Sequence, residues 1–187
     1  TLSLHDALPI WSMEGAIDYA NAQVAKGGYL MLNQFDNPDN AAMHYKTTGP
    51  EIWRDTQGAV THFVSAMGTT GTIMGVSKFL KEQNAKVEIA GCQPGDGSHI
   101  PGIRKWPEAY LPKIFNRQML DRVIEVDEAD ARIMAKRLAK EEAIFSGMSS
   151  GGAVYAAVEL SKQLTSGTIV CIICDRGDRY LSSDLFD

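Results

Sequence analysis

Short apolar runs alternate with helical patterns along this chain, and that alternation limits the folds open to it more than any other feature. The runs are "THFVSA" at 61–66, "VEIAGC" at 87–92, "RVIEV" at 122–126 and "TIVCIIC" at 168–174. Between them, residues 72–84, 127–142 and 150–164 have helical composition. Strands alternating with helices predict an α/β domain, a mostly parallel twisted sheet with helices on both faces. Ahead of this core, 13–26 reads as a helix stopped by Gly27 and Gly28, 29–32 as a short strand, and 40–56 as helical with a break near Gly49 and Pro50. Asp127 is the expected N-cap of its helix, and the run 168–174 a buried strand.

The 187 residues suffice for one domain with its own core. A net charge of −5 gives no basic footprint for nucleic acid. The longest apolar run, residues 169–174, is far too short to span a bilayer. Three cysteines do not make a disulfide framework and fit a reducing cytoplasm, and no basic residue precedes the first apolar ones as a secretory leader requires. The first ten residues, TLSLHDALPI, resemble one translated frame of a widely used sequencing adapter and are set aside from fold reasoning. The natural chain is expected to continue upstream of Trp11.

In open parallel sheets, ligands bind beyond the carboxyl ends of strands. Five unusual segments are assigned to such places: "NQFDNPDN", "MGTTGT", "QPGDGSHIPGIRKW", "SGMSSGG" and "CDRGDRY". In the second, Gly68 and Gly71 allow positive φ and close approach to the backbone, while Thr69, Thr70 and Thr72 add hydroxyls ahead of a helix N-terminus. That suits a phosphate. The nucleoside-triphosphate loop is excluded because no Lys-Ser or Lys-Thr pair follows, and the dinucleotide fingerprint because the glycine spacing differs. A plain strand-to-helix turn is the structural alternative.

In "SGMSSGG", Ser149 or Ser150 can be a simple helix cap. Gly151 and Gly152 also leave room for a flat ligand, and a serine could hydrogen-bond the nitrogen of a pyridine ring. A neutral serine would not hold that nitrogen protonated, which favours elimination and replacement at a β-carbon over transamination. The Cys171/Cys174 pair is not read as a redox or zinc site, because positions three apart on a strand point to opposite faces and no second ligand pair exists. Cys171 is expected in the core and Cys174 at the site. Asp175 and Asp178, beside Arg176 and Arg179, read as an ion-pair cluster. The four histidines show no ligand spacing, and Lys78 and Lys81 are expected to be solvated.

With "YKTTGPEIW", "MGTTGTIMGVSKFL", "IPGIRKWPEAYLP", "IFSGMSSGGAV" and "IICDRGDRYLSSDLF", the chain resembles the cysteine synthases (O-acetylserine sulfhydrylases), fold type II pyridoxal-phosphate enzymes with a tryptophan synthase β-like fold. "CDRGDRY" and the basic-aromatic loop make it similar to the B type. The resemblance spans about residues 12–185. It implies a remnant of a small domain at 11–28 and a large cofactor-binding domain at 29–187.

It further implies pyridoxal 5′-phosphate held at Gly68, Thr69, Thr70, Gly71 and Thr72, with Ser149 at the ring nitrogen. Gln34 and Gly102 would meet the amino-acid substrate, and Arg104, Lys105, Trp106 and Cys174 would line the donor side. The implied reaction exchanges the acetate of O-acetylserine for sulfide, giving L-cysteine, or for thiosulfate, giving S-sulfocysteine. Lys105 departs from the arginine usual in the B type, and lysine lacks the planar fork for two oxygens.

A cytoplasmic homodimer is implied, with no metal, nucleic acid or membrane partner. No segment resembles the family's Schiff-base lysine segment or its substrate-carboxylate loop, so the chain alone is expected to be an inactive fragment. Cystathionine β-synthase, a serine/threonine dehydratase, or a non-catalytic cofactor-binding module are the alternatives.

Overall fold

The computed structural model describes residues 12–186. The adapter reading of residues 1–10 lies outside the described residues. Four parallel strands form one sheet in the order β3-β2-β1-β4: β1 His62–Ala66, β2 Glu88–Pro94, β3 Arg122–Val126 and β4 Ile169–Cys171. Side chains alternate between faces, as the strand period of two requires. Phe63, Ile89, Val123 and Val170 enter one core, while Val64, Ala90, Ile124, Ile169 and Cys171 enter the other.

Helix α4 (Gly71–Gln83) covers the first face with Ile73, Val76 and Leu80, and is flanked by α2 (Pro38–Lys46) and α3 (Thr48–Asp55). Helices α5 (Glu128–Glu141) and α6 (Met148–Ser161) cover the second with Ala131, Ala135, Ala156 and Leu160. The expected α/β sandwich is therefore present. Glycines set how closely the helices meet. A Cβ on Gly75 would strike the Ala41 carbonyl and His44 of α2, and one on Gly151 the backbone of α5.

Several local expectations differ. Residues 29–32 form no strand; Tyr29, Leu30 and Leu32 are exposed, and no strand among the described residues pairs with them. The last strand is shorter than expected and half-buried, because it pairs with β1 alone at the end of this sheet. The helical break falls at Thr47, two residues early, leaving Gly49 inside α3 where a Cβ would lie 2.7 Å from Phe79 Cβ. The segment 146–152 follows α5 rather than a strand.

Asp127 holds the N-cap position without capping; its carboxylate accepts instead from Ser98 Oγ at 3.3 Å. Lys81 is paired with Asp121 at 2.8 Å, and Lys78 lies over the Tyr45 ring. Helix α1 (Met13–Ala25) is capped by Ser12, buries no side chain, and receives a hydrogen bond from Tyr110 to Asp18 at 2.7 Å. Among the described residues no helix is long and apolar enough to cross a membrane.

Candidate functional site

The chain runs β1, β2, β3 outward and then returns to place β4 on the other side of β1. That reversal opens a crevice beyond the carboxyl ends of β1 and β4, where parallel sheets bind ligands. A cavity of about 390 Å³ occupies it. Gly68, Thr69, Thr70, Thr72, Gly102 and Cys174 line it, together with Ser65, Ala66, Ile172, His44 and Thr48.

The Gly68–Thr72 turn joins β1 to α4. Thr70 is held at φ +69°, the left-handed region, which is a genuine outlier for a β-branched residue. Its side chain is buried, and its hydroxyl has no hydrogen-bond partner. Such strain persists only where surrounding structure enforces it and gathers at functional sites. The turn is braced from three sides. Asn40 Nδ2 donates to Thr69 Oγ1 at 3.1 Å and to the Gln34 carbonyl at 2.8 Å. Trp106 Nε1 donates to the Gly68 carbonyl at 2.7 Å, and Arg104 N to the Met67 carbonyl at 2.8 Å. Gly71 has no room for a Cβ against the Asn40 amide.

His44 was invisible to spacing arguments, yet α2 brings it into the cavity wall. Its Nε2 is 3.2 Å from Thr72 Oγ1 and its Nδ1 2.8 Å from Thr48 Oγ1; burial lowers its pKa. Nothing in its sequence neighbourhood marks this position. The signal available was Gly75, which lets α2 lie against α4.

Ser149 sits in the first turn of α6 rather than capping it; the N-cap position is Gly147. It is buried beside Gly102, where a Cβ would lie 3.0 Å from Ser149 Cβ. Gly102 has φ +88° and accepts no Cβ on either ground. Asp175 does not join the expected ion-pair cluster. Only Arg176 and Asp178 pair, at 2.9 Å, while Asp175 accepts from Gly147 N (3.1 Å), Ser150 Oγ (3.2 Å), Ser149 Oγ (3.5 Å) and Tyr180 OH (2.5 Å).

The remaining predicted residues lie apart. Gln34 lines a separate cavity with α1. Arg104, Lys105 and Trp106 line another with Met67 and Phe115, which also touches Thr70. The Lys105 ammonium is bound between Asp96 (2.7 Å) and Glu125 (2.8 Å), which hold its pKa up to about 12. Cys174 lies beyond the end of β4, with its backbone N–H on Ser150 Oγ at 2.9 Å. Among the described residues no His, Cys, Asp or Glu group could hold a metal ion, and no lysine lines the crevice at the ends of β1 and β4.

This geometry fits an elongated phosphorylated ring. The orphaned Thr70 hydroxyl and the α4 N-terminus face the crevice, and Gly102 lines it without a side chain, with Ser149 packed against that glycine. Comparison with known proteins agrees. Residues 7–175 match the family model described as pyridoxal-phosphate dependent enzyme. The chain is 57% identical over 175 residues to cysteine synthase B of Pseudomonas aeruginosa, covering 94% of this chain and 58% of that one. It is 54% identical to cysteine synthase B of Escherichia coli K12, covering 93% and 57%.

Among solved structures, cysteine synthase from Entamoeba histolytica superposes with a TM-score of 0.83 at 37% identity, covering 94% of this chain and 55% of that one. O-ureido-L-serine synthase superposes at 0.84 with 33% identity, covering 95% and 58%. The chain thus spans just under three fifths of the length of the curated cysteine synthase B relatives it matches. With the family model matched over residues 7–175, most of its length, the chain belongs to the pyridoxal-phosphate dependent enzyme family.

Proposed function

We propose that this chain is the cofactor-binding part of a cysteine synthase, which replaces the acetate of O-acetylserine by sulfide to give L-cysteine, or by thiosulfate to give S-sulfocysteine. The observation that carries this reading is Thr70: a buried hydroxyl with no partner, forced into the left-handed region at the head of α4. Pyridoxal phosphate supplies an electron sink that makes the β-carbon of an amino acid open to loss and gain of a substituent.

The chain's own residues have simpler work. Thr70 Oγ1 and the N–H groups of the α4 first turn receive the phosphate, with Thr69 and Thr72 beside it. Ser149 meets the ring nitrogen. Gly102 keeps the floor flat, and Gln34 would close on the substrate from the α1 side. Arg104 is left as the loop's cation for an anionic donor, since Lys105 is already paired. We read α1 as part of a neighbouring small domain, because none of its side chains is fully buried here. The assembly we propose is a cytoplasmic homodimer, as for the family resemblance above.

The test uses the 187-residue chain and pyridoxal phosphate, titrated by absorption. Thr70→Val keeps the shape and the strain and removes only the hydroxyl. A hydrogen bond to a charged group contributes about 1.5–3 kcal/mol, so the affinity should fall about tenfold or more. Pyridoxal, without the phosphate, should bind both forms equally. Equal affinity of the two proteins for pyridoxal phosphate would remove Thr70 from the phosphate site.

A further inference from the structure

Among the described residues, no lysine, arginine, aspartate or glutamate lines the crevice at the ends of β1 and β4. Its titratable residues are His44 and Cys174. Burial lowers His44 and raises Cys174, so both are neutral near pH 7. An anion there is therefore held by neutral donors, and each hydroxyl attracts or repels it according to where its proton points. Ser65 Oγ is turned to the Ala66 carbonyl at 3.3 Å. Thr69 and Thr72 each meet a side chain of α2. Asn40 and His44 stand one helical turn apart on that helix, and Gly71 and Gly75 of α4, lacking a Cβ, make room for them. The Asn40 amide has one workable direction. Its Nδ2 donates to the Gln34 carbonyl, so it is also the donor to Thr69 Oγ1. Thr69 Oγ1 accepts from Gly71 N as well, at 3.4 Å. With both lone pairs taken, its own proton is left for the crevice.

His44 does the same for Thr72 in one of its two neutral tautomers. Its Nδ1 lies 2.8 Å from Thr48 Oγ1 and its Nε2 3.2 Å from Thr72 Oγ1. If Nδ1 carries the proton, it donates to Thr48, and Nε2 draws the Thr72 proton away from the crevice. If Nε2 carries it, Thr48 donates to Nδ1, the imidazole donates to Thr72, and the Thr72 proton turns to the crevice. A phosphate dianion only accepts, so it selects the second arrangement. Resting on the cofactor reading above, we propose that Asn40 and His44 are positioning residues, which donate from α2 to Thr69 and Thr72 and so aim both hydroxyl protons at the phosphate of pyridoxal phosphate, with Thr48 holding His44 as its Nε2–H tautomer. Each acts through the threonine it supports. The turn thereby takes a dianion with no cationic side chain lining the crevice.

The experiment labels the histidine rings of the 187-residue chain with ¹⁵N and reads their tautomers by NMR near pH 8, where imidazole is neutral. The His44 signals are those lost in His44→Gln. With pyridoxal phosphate bound, His44 should carry its proton on Nε2 and leave Nδ1 bare. Affinities are measured alongside. His44→Leu should weaken pyridoxal phosphate binding about tenfold, the scale of one hydrogen bond to a charged group, and leave pyridoxal binding unchanged. His44→Gln, whose amide can still donate to Thr72, should recover most of that loss. In a Thr72→Val background His44→Leu should have little further effect, because the two side chains act as one unit. Asn40→Leu should reproduce the pattern through Thr69. Melting curves identify any variant that has lost its fold, and the tautomer is read on the unmutated chain. A proton on Nδ1 in the loaded chain overturns the proposal, since the Thr72 hydroxyl would then point away from the phosphate. An equal loss of pyridoxal and pyridoxal phosphate in His44→Leu also overturns it and leaves His44 a packing residue. In both of those failures the cofactor reading stands. A parent chain that holds pyridoxal phosphate no better than pyridoxal sinks that reading itself, and this proposal with it.

Discussion

Replacing Gly75 by valine should lower the melting temperature of the chain by about 10 °C and weaken its hold on pyridoxal phosphate in the same step. Gly75 is where α4 meets α2. An added Cβ collides with the Ala41 carbonyl and approaches His44 Cβ to 2.7 Å and Tyr45 N to 2.8 Å. Two of these contacts are backbone, so no rotamer change relieves them. The helices must separate, and overpacking of this kind costs about 1–3 kcal/mol or more. At roughly 2–4 °C per kcal/mol for a chain of this size, the upper end of that range gives the stated drop.

The functional loss follows from what α2 carries. Asn40 holds Thr69, and His44 contacts Thr72, so moving α2 loosens the phosphate turn from outside. Gly97→Ala is the control. Its φ is +78° but no atom lies within 4 Å of the added carbon, so it should cost only the backbone strain, about 1 kcal/mol. Thermal melts by circular dichroism, with a cofactor titration on each protein, decide it. Equal melting of the two variants would show that the α2–α4 contact is looser than described.

The same contact explains which parts of this protein the sequence reveals. The sheet was legible because period-two apolar runs leave few alternatives. β3 begins and ends where the run "RVIEV" does, and the two cores divide its side chains as the alternation requires. The Gly68–Thr72 turn was legible as a strand-to-helix junction at the crevice, because glycine and threonine gather where a strand gives way to a helix N-terminus. His44 was not, since nothing local marks it; its place comes from α2 lying on α4, a tertiary fact written in Gly75.

Asp175 was misread for the opposite reason. Arg176 and Arg179 beside it imply a surface cluster, but the chain turns after β4 and Arg176 faces solvent while Asp175 faces the α6 terminus. The better signal was position, directly after the apolar run 168–174, where parallel sheets place ligand residues. Hydrophobicity alone predicts a strand from Tyr29 to Leu32, but a strand needs a partner to satisfy its backbone.

The 187-residue chain itself should form no cysteine from O-acetylserine and sulfide, even with pyridoxal phosphate bound. β-Replacement needs a base placed over the reacting carbon, and positioned proton transfer contributes roughly 10²–10⁴-fold in rate. Among the described residues no lysine lines the crevice at the ends of β1 and β4. Lys105, in the basic-aromatic loop, is tied to Asp96 and Glu125 and held up to about 12, so it neither reaches inward nor gives up a proton near neutral pH. Lys81 is paired with Asp121, Lys113 with Asp36, and Lys78 stands over Tyr45. His44 lines the cavity, but both ring nitrogens are engaged by threonine hydroxyls beside the phosphate turn.

The substrate carboxylate fares no better. Gln34 opens into the cavity on the α1 side, apart from the Thr70 crevice, so orientation is lost along with the base. The measurement is cysteine yield against a protein-free blank, with borohydride reduction and mass spectrometry to locate any lysine joined to the cofactor. The expected result is reversible binding, no reduced adduct and no cysteine above the blank. A single modified lysine together with catalytic turnover would show that Lys46 or Lys78 can reach the cavity, and that the placement of α2 and α4 around the phosphate turn is wrong.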